Sequence, residues 1–268
     1  MPGNSPNLLT QIATAFRPGQ TALMPYFPLG YPDFQTSIEI VTRLCRDGAD
    51  VIELGIPFSD PLADGPTIQA ATQEALGNGI SVARCLAGVK DLRERGITTP
   101  FILMSYYNPI LQYGVPEFIQ ECASIGVNGL IIPDLPPEEA GDMLELARRP
   151  GMGIIFLITP NSPTQRIDLV ARLASGFIYL VSLTGTTGAR NQLSEGLGHF
   201  SNRVREKTDL PLALGFGIST KAQVDAAGEF VDGVIVGSAL IDAVRQALES
   251  SQDPLEAGGN FIAGLRSG

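Results

Sequence analysis

Short apolar runs recur along the whole chain, and each is followed by turn residues and then by a helical pattern. Their continuous apolar character is typical of parallel strands that are covered on both faces. Eight such runs are present, at residues 22–27, 51–55, 101–105, 129–132, 154–158, 177–181, 212–214 and 233–236. The intervening segments repeat apolar residues at helical spacing, as in 37–45, 116–125, 137–147, 164–174, 195–207 and 220–227. The alternation predicts repeated βα units.

Eight βα units within about 250 residues have the size of a single (β/α)8 TIM barrel, an α/β fold. A doubly wound open sheet is the alternative, although it normally has fewer strands at this length. The second and third runs are unusually far apart, and two helical patterns between them (67–76 and 82–95) predict an insertion after strand two. Extra helices are expected at 8–15, at the bottom of the barrel, and near strand eight and the C-terminus (239–248 and 254–265). Because no composition shift marks a linker, residues 1–268 are expected to form one domain.

The acidic balance of the chain limits its partners. Lys and Arg total 18 against 28 Asp and Glu, a net charge of −10, and phosphate-backbone binding needs clustered basic residues, so a nucleic-acid surface is not expected. Cys45, Cys85 and Cys122 lie far apart in helical patterns, so neither a disulfide framework nor a zinc site is predicted. No signal peptide or membrane-length apolar run is evident. These features favour a cytoplasmic location with no membrane partner.

Several kinds of catalysis are disfavoured by missing residue types. The single histidine, His199, lies in a polar helical segment. The three lysines, Lys90, Lys207 and Lys221, are also in polar or helical segments and not in apolar strands. Histidine-based triads, metal sites and Schiff-base chemistry on a buried amine are therefore not expected.

Carboxylates after the second strand are the strongest catalytic candidates, because barrel enzymes place catalytic groups at strand carboxyl ends. Glu53 lies inside an apolar run. An ionised carboxylate is costly there, so Glu53 either points outward or meets a cation, or it has a raised pKa that suits acid–base chemistry. Asp60 and Asp64 follow in a Pro-rich loop, where Asp also forms purely conformational turns.

Two Gly-bearing turns after strands seven and eight predict a phosphate site. They comprise residues 215–219 and 236–239, and a helix starts at the second. Backbone N–H groups and the Ser238 hydroxyl would bind a phosphate there without Lys or Arg, although a Gly-Ser pair also simply caps helices. The small polar residues of 182–190 suit a lid over a phosphorylated ligand, or else a solvated loop.

The run ELGIPFSDPLADGPTIQ at 53–69 resembles the signature of the tryptophan synthase alpha chain family. The similarity extends from Tyr26 to Ala243 and includes SYYNP (105–109), PDLP (133–136), residues 182–190 and both Gly-bearing turns. It implies a lyase of L-tryptophan biosynthesis that cleaves indole-3-glycerol phosphate to indole and glyceraldehyde 3-phosphate. Such a retro-aldol reaction needs neither amine nor metal, because protonation of indole C3 makes the ring its own electron sink.

The resemblance also implies a role for each site residue. Glu53 would be the general acid and base, and Asp64 would accept a hydrogen bond from the indole N–H. The residues implied around the indole are Tyr26, Ile131, Leu157, Tyr179, Phe216 and Ile235. The residues implied around the phosphate are Gly188, Gly217, Gly237 and Ser238. Thr187 would hydrogen-bond Asp64 when the lid closes.

The resemblance further implies a tryptophan synthase beta chain as partner, in an α2β2 heterotetramer. Pyridoxal phosphate is expected only in that beta chain, and no cofactor in this one. The loops carrying Pro57, Asp60, Asn108 and 133–137 surround the same barrel end and form the expected docking face. Two alternatives stay open: a stand-alone lyase that releases indole, and a phosphate-ligand-binding barrel that mainly activates a beta chain.

Overall fold

A computed structural model describes residues 7–181, 190–215 and 217–266, with the side chains of 190–195 omitted. Its strands are β1 (Ala22–Pro28), β2 (Ile52–Gly55), β3 (Phe101–Met104), β4 (Gly129–Ile131), β5 (Gly153–Ile155), β6 (Leu157–Ile158), β7 (Ile178–Val181), β8 (Leu212–Gly215) and β9 (Gly233–Val236). Every pairing is parallel, in the order β5-β4-β3-β2-β1-β9-β8-β7-β6. The carboxyl ends of all strands therefore lie at one end of a nearly closed barrel, which confirms the predicted fold class.

The run at 154–158, predicted as one strand, is divided at Phe156 into β5 and β6. Strand β5 pairs with β4, whereas β6 pairs with β7. The Phe156 carbonyl accepts the Tyr179 N–H at 3.1 Å. The first half of this run therefore pairs with the strand on one side, and the second half pairs with the strand on the other side. It brings the two ends of the sheet together, which rules out the open doubly wound alternative.

The helices within the described residues are α1 (Leu8–Ala15), α2 (Phe34–Arg46), α3 (Pro66–Gly77), α4 (Val82–Glu94), α5 (Tyr107–Tyr113), α6 (Val115–Ser124), α7 (Gly141–Arg148), α8 (Thr164–Leu173), α9 (Arg190–Arg205), α10 (Lys221–Gly228), α11 (Ser238–Glu249) and α12 (Pro254–Arg266). The predicted insertion after strand two is the pair α3 and α4. In the described part of the chain, no helix has the length and apolar character needed to cross a membrane.

Two helical predictions need correction. The continuous helix predicted at 137–147 is wrong: a short 3-10 helix (Pro137–Glu139) precedes α7, and Ala140 between them has φ −82° and ψ 6°. Helix α5 was not predicted, because the short segment after β3 shows no sustained apolar period. The Asp134 carboxylate accepts the Tyr107 N–H at 2.9 Å and so starts α5 from the neighbouring loop. A cap from a distant residue leaves no local sequence signal.

Four polar residues close the amino end of the barrel in a repeated way: Asp50, Asn128, Ser175 and Asp232. Each lies shortly before one strand, and its side chain accepts an N–H from an earlier strand at 2.8–2.9 Å; the donors are Leu23, Phe101, Ile154 and Leu212. Each of the four also donates its own backbone N–H to the carbonyl of the residue whose N–H its side chain accepts. The pattern joins alternate neighbouring strands and satisfies backbone groups at the strand starts.

Helix α1 covers this amino end, as predicted. Ile12 is fully buried. The Asn128 amide donates to the Leu8 carbonyl at 3.0 Å and to Gln11 Oε1 at 2.6 Å. With one end of the barrel closed by α1, the opposite end carries the accessible cavity.

Candidate active site

A cavity of about 290 Å³ opens at the carboxyl ends of the strands. Among the residues predicted for the site, those that line it are Tyr26, Glu53, Asp64, Ile131, Leu157, Tyr179, Gly217, Ile235, Gly237 and Ser238. The lining residues that were not predicted are Ala63, Ile68, Met104 and Asp242, whereas Ile218, Ser219 and Ala239 belong to the two Gly-bearing turns predicted for the phosphate. Three predicted residues, Thr187, Gly188 and Phe216, lie outside the described residues. The cavity therefore gathers chain segments from nearly every strand.

Glu53 is buried at the base of this cavity, with 1% of its surface exposed. It stands in register with Tyr26 on β1 and Ile102 on β3. Its Oε2 atom has no hydrogen-bond partner among the described atoms. Burial, and to a lesser extent the Asp64 carboxylate, raise the pKa of Glu53 to about 8. The structure thus excludes an outward-facing Glu53 and leaves a carboxyl group that is protonated at neutral pH.

Asp64 lies in the loop between β2 and α3, half-buried against the cavity. Burial raises its pKa to about 6, and a hydrogen bond with Tyr106 acts in the opposite direction. The Tyr106 hydroxyl also accepts the Ala63 N–H at 2.8 Å. At neutral pH the cavity therefore holds a protonated Glu53 and an ionised Asp64.

The two loop aspartates differ in their surroundings. Asp60 is exposed, accepts the Ser59 hydroxyl at 2.5 Å and does not line the cavity. Asp64 makes no capping bond to α3, whose N-cap is Gly65 without a side-chain bond. Asp64 is therefore held in place by Tyr106, a residue that sequence reasoning missed. The available signal was its position directly after β3, within the SYYNP run.

Two tyrosines enter the cavity over glycines of the neighbouring strands. A Cβ at Gly55 would lie 2.2 Å from Tyr26 Oη, and one at Gly215 would lie 2.1 Å from Tyr179 Oη. Burial raises the pKa of both tyrosines well above the ordinary value, so both hydroxyls stay neutral. The glycines after Leu54 and Leu214 thus make room for the polar walls of the cavity.

The rest of the wall is apolar. Ile131, Leu157 and Ile235 line it as predicted, together with Met104 and Ile68. Met104 is the register partner of Ile131 in the β3–β4 pair. Strand register, which the sequence does not display, determines that Met104 joins the wall. A flat aromatic ring fits such a surface between two neutral tyrosines.

The turns after β8 and β9 contribute Gly217, Ile218, Ser219, Gly237, Ser238 and Ala239 to the cavity lining. Gly217 lies after β8, and Gly237 is the N-cap of α11, which begins at Ser238. The first N–H groups of a helix have no internal partner, and the helix dipole favours an anion there. Gly217, Gly237 and Ser238 thus share the lining of one cavity, and phosphate binding by them stays a prediction.

Residues that would support other chemistries lie elsewhere. Each lysine pairs with a carboxylate away from the cavity lining: Lys90 with Glu94, Lys207 with Asp168 and Lys221 with Asp225. His199 is exposed on α9. Within the described ranges, no three His, Cys, Asp or Glu side chains come together as metal ligands. Carboxyl chemistry is therefore what the described residues of the cavity offer.

Comparison with known proteins decides the family. The family model described as tryptophan synthase alpha chain matches residues 12–263. Tryptophan synthase alpha chains are 52% identical over 229 residues in Roseiflexus sp. (strain RS-1), covering 85% of this chain and 88% of that one, and 48% identical over 259 residues in Dehalococcoides mccartyi, covering 96% and 98%. The crystal structure of tryptophan synthase subunit alpha from Legionella pneumophila str. Paris matches with a TM-score of 0.90 at 36% identity, covering 98% of each chain.

The chain belongs to the tryptophan synthase alpha chain family. Its reaction is the lyase reaction of that family, cleavage of indole-3-glycerol phosphate in tryptophan biosynthesis. The resemblance drawn from residues 53–69 is thereby confirmed.

A first prediction for this alpha chain concerns the space above Gly215. In Gly215→Ala the new Cβ would overlap Tyr179, so the ring must move into the cavity or away from its packing. We expect unfolding in urea to become easier by about 1–3 kcal/mol and the KM for indole-3-glycerol phosphate to rise. Gly141→Ala is the matched control, because nothing lies within 4 Å of a Cβ there. Equal stability and KM in the two variants would contradict the packing argument.

Proposed function

We propose that the cavity cleaves indole-3-glycerol phosphate by acid–base catalysis on Glu53, with Asp64 stabilising the charged indole. The observation that carries this assignment is the pairing of opposite protonation states in one cavity. Glu53, with a pKa raised to about 8, is a proton donor at neutral pH, whereas Asp64, with a pKa of about 6, is an anion. Neighbouring carboxyl groups with separated pKa values are typical of an acid with an electrostatic partner.

One carboxyl group is enough to carry out both proton transfers of the reaction. Glu53 donates its proton to indole C3, which gives a cationic ring with a C2=N1 double bond. The Glu53 carboxylate then takes the proton of the hydroxyl on the adjacent glycerol carbon. The bond between that carbon and C3 breaks, its electron pair returns to the ring, and the carbon leaves as the aldehyde of glyceraldehyde 3-phosphate. Glu53 ends protonated, ready for another turnover.

Asp64 is proposed to stabilise the cationic indole intermediate of this reaction. An ionised carboxylate that accepts the indole N–H is worth most when the ring carries positive charge, which is the condition for catalysis and not merely binding. The neutral hydroxyls of Tyr26 and Tyr179 add polarity without charge. Thr187, on the proposed lid, would bind Asp64 on closure, and Phe216 would complete the wall around the indole.

The phosphate is proposed to bind the opposite end of the cavity, at Gly217, Gly237 and Ser238, with Gly188 contributing from the lid. The N-terminus of α11 supplies the donors. No cofactor is proposed for this chain. All three lysines are engaged by carboxylates on helices, so no amine lies where pyridoxal phosphate could form a Schiff base in this cavity.

The direct test uses the purified chain and indole-3-glycerol phosphate. Indole and glyceraldehyde 3-phosphate should form in equal amounts without added metal or pyridoxal phosphate. Repeating the assay with a tryptophan synthase beta chain measures activation. Absence of indole under both conditions would overturn the proposed chemistry. Binding of the substrate without turnover, combined with stimulation of the beta chain, would support the activator alternative.

A beta-type partner is proposed to dock on the barrel end that carries the cavity, in an α2β2 assembly. Leu62, in the loop that holds Asp64, is 93% exposed, and Leu111 on α5 is 53% exposed. Asp60, two residues before Leu62, and Asn108, three residues before Leu111, are also exposed, whereas Pro57 is buried. Exposed leucines beside polar residues are typical of an interface.

Docking can be tested with one substitution on this face. Leu62→Asp should abolish co-elution with a beta chain and activation by it, while leaving the activity of the alpha chain alone within about twofold, because a charge in an interface core opposes association. Leu248→Asp is the control, since Leu248 is 37% exposed at the other end of α11. If both variants bind a beta chain normally, the docking face is elsewhere.

We further propose that the chain acts as one domain and resides in the cytoplasm. Helix α12 packs against both α2 and α11, which ties the C-terminal segment to the barrel. Cys45, Cys85 and Cys122 are free thiols, a pattern typical of a reducing compartment.

A further inference from the structure

The cavity contains a third carboxylate that the lyase mechanism does not use. Asp242 on α11 lines the cavity four residues after Ser238. Together with Glu53 and Asp64 it makes three carboxyl groups, and no described lining residue is Lys, Arg or His. A phosphate monoester carries up to two negative charges at neutral pH. An unpaired carboxylate one helical turn from the phosphate donors would oppose its binding.

Arg245 is the cation that meets this carboxylate. Its guanidinium forms an ion pair with Asp242 Oδ1, and the same oxygen lies 3.4 Å from Thr67 Oγ1 on α3. The pair spans three residues of α11, with side chains 41% and 35% exposed. Ion pairs at this spacing on an open helix contribute little to stability. This one differs because its carboxylate faces a ligand cavity.

The surroundings of the pair are otherwise acidic. Burial raises the pKa of the Tyr31 hydroxyl. Four charged side chains also change this pKa: the carboxylates of Glu74, Asp242 and Glu249 raise it, and the Arg245 guanidinium lowers it. These groups, one on α3 and three on α11, therefore lie within electrostatic range of Tyr31. Arg245 is the cation of the four, so its removal would leave the Asp242 carboxylate beside the cavity without its ion-pair partner.

We propose that the Arg245–Asp242 pair sets the affinity of the cavity for the phosphate group of its ligands. Arg245 neutralises Asp242 and so admits a dianion to an end of the cavity that has backbone donors but no cationic lining residue. The proposal rests on the proposed phosphate position at Gly217, Gly237 and Ser238. Arg245 is a positioning residue for charge here, not a catalytic one.

Calorimetric titration with glycerol 3-phosphate tests this independently of turnover. Arg245→Gln should weaken binding by about tenfold at low salt, and the loss should shrink as salt screens the exposed charge. The KM for indole-3-glycerol phosphate should rise in parallel with an unchanged kcat. Affinity for indole, which carries no charge, should not change.

The double variant separates electrostatics from structure. Asp242→Asn combined with Arg245→Gln removes both charges and should restore glycerol 3-phosphate affinity to within about threefold of the parent. Arg149→Gln is the matched control, because Arg149 pairs with Glu145 on α7 at 3.0 Å, away from the cavity. It should change no binding constant.

Two outcomes would overturn the inference. One is unchanged glycerol 3-phosphate binding in Arg245→Gln. The other is a double variant as weak as the single one, which would mean that Arg245 acts through helix structure. Failure of the proposed lyase function looks different: the parent chain would bind glycerol 3-phosphate yet release no indole from indole-3-glycerol phosphate.

Discussion

Glu53→Gln is expected to fold and to bind ligand while its rate of indole release falls by at least about a thousandfold. The amide keeps the size of the side chain but can neither donate a carboxyl proton to indole C3 nor take the glycerol hydroxyl proton. KM should change little, because the lost interactions belong to the transition state. Indole release from indole-3-glycerol phosphate is the measurement.

The pH dependence of the parent enzyme gives a second view of the same residue. Activity requires an ionised Asp64 and a protonated Glu53, whose pKa values are about 6 and about 8. The profile of kcat/KM should therefore rise through the first value and fall through the second. A profile that keeps rising above pH 8 would contradict Glu53 as the initial proton donor.

The pH dependence of the free energy of unfolding should reveal the raised pKa of Glu53 in the absence of substrate. A carboxyl group whose pKa rises on folding, here from 4.5 to about 8, binds more protons in the folded state, so the parent loses stability as pH increases between these values. Below pH 4.5 the group makes no pH-dependent contribution, and above pH 8 the loss is complete. The unfolding free energy of Glu53→Gln relative to the parent should therefore increase from pH 5 to pH 8. Parallel curves would show that Glu53 is not perturbed.

Asp64→Asn is expected to reduce indole release by about a hundredfold or more, because it removes the charge that faces the cationic ring. The amide could also turn its NH2 group toward the indole N–H, which replaces attraction by repulsion. The acidic limb of the pH profile should disappear. Since the Asp64 carboxylate raises the pKa of Glu53, the alkaline limb should move to lower pH.

Matched variants of the same loop sharpen this test. Asp60→Asn removes an exposed carboxylate four residues earlier and, in the chain without a beta partner, should leave kcat and KM near the parent values. Tyr106→Phe removes the hydroxyl that accepts the Ala63 N–H and should give a smaller loss than Asp64→Asn, with the acidic limb kept but shifted to higher pH. If Asp60→Asn were the more damaging change, the roles assigned within the loop would be reversed.

Much of the fold could be predicted from the sequence because each βα unit repeats the same order of apolar run, turn residues and helical pattern. Strand β9 and helix α1 have the predicted bounds, and most other boundaries differ by one to three residues. The misses have physical causes. Helix α5 is started by Asp134 from another loop, and the split at Phe156 follows from which neighbours pair on each side. Neither signal is local.

The residues of the candidate site likewise fall into those that the sequence could indicate and those that it could not. Glu53 was identifiable because a carboxyl group inside an apolar strand has an unavoidable desolvation cost. Tyr106, Met104 and Asp242 were missed because their importance arises from strand register, a loop contact and the angle of a helix at the cavity. Periodicity and residue type do not encode those distances.

The sequence by itself predicted the barrel and the helix at its bottom, disfavoured imidazole and amine chemistry, and indicated Glu53 as a catalytic candidate, to which the family resemblance added Asp64. Those features depend on residue type, spacing and order along the chain. Only the tertiary structure decided that Glu53 Oε2 is unpartnered, that Tyr106 holds Asp64, and that Arg245 offsets a third carboxylate in the cavity. The physical reason is that protonation states and charge balance depend on burial and on distances between residues far apart in sequence.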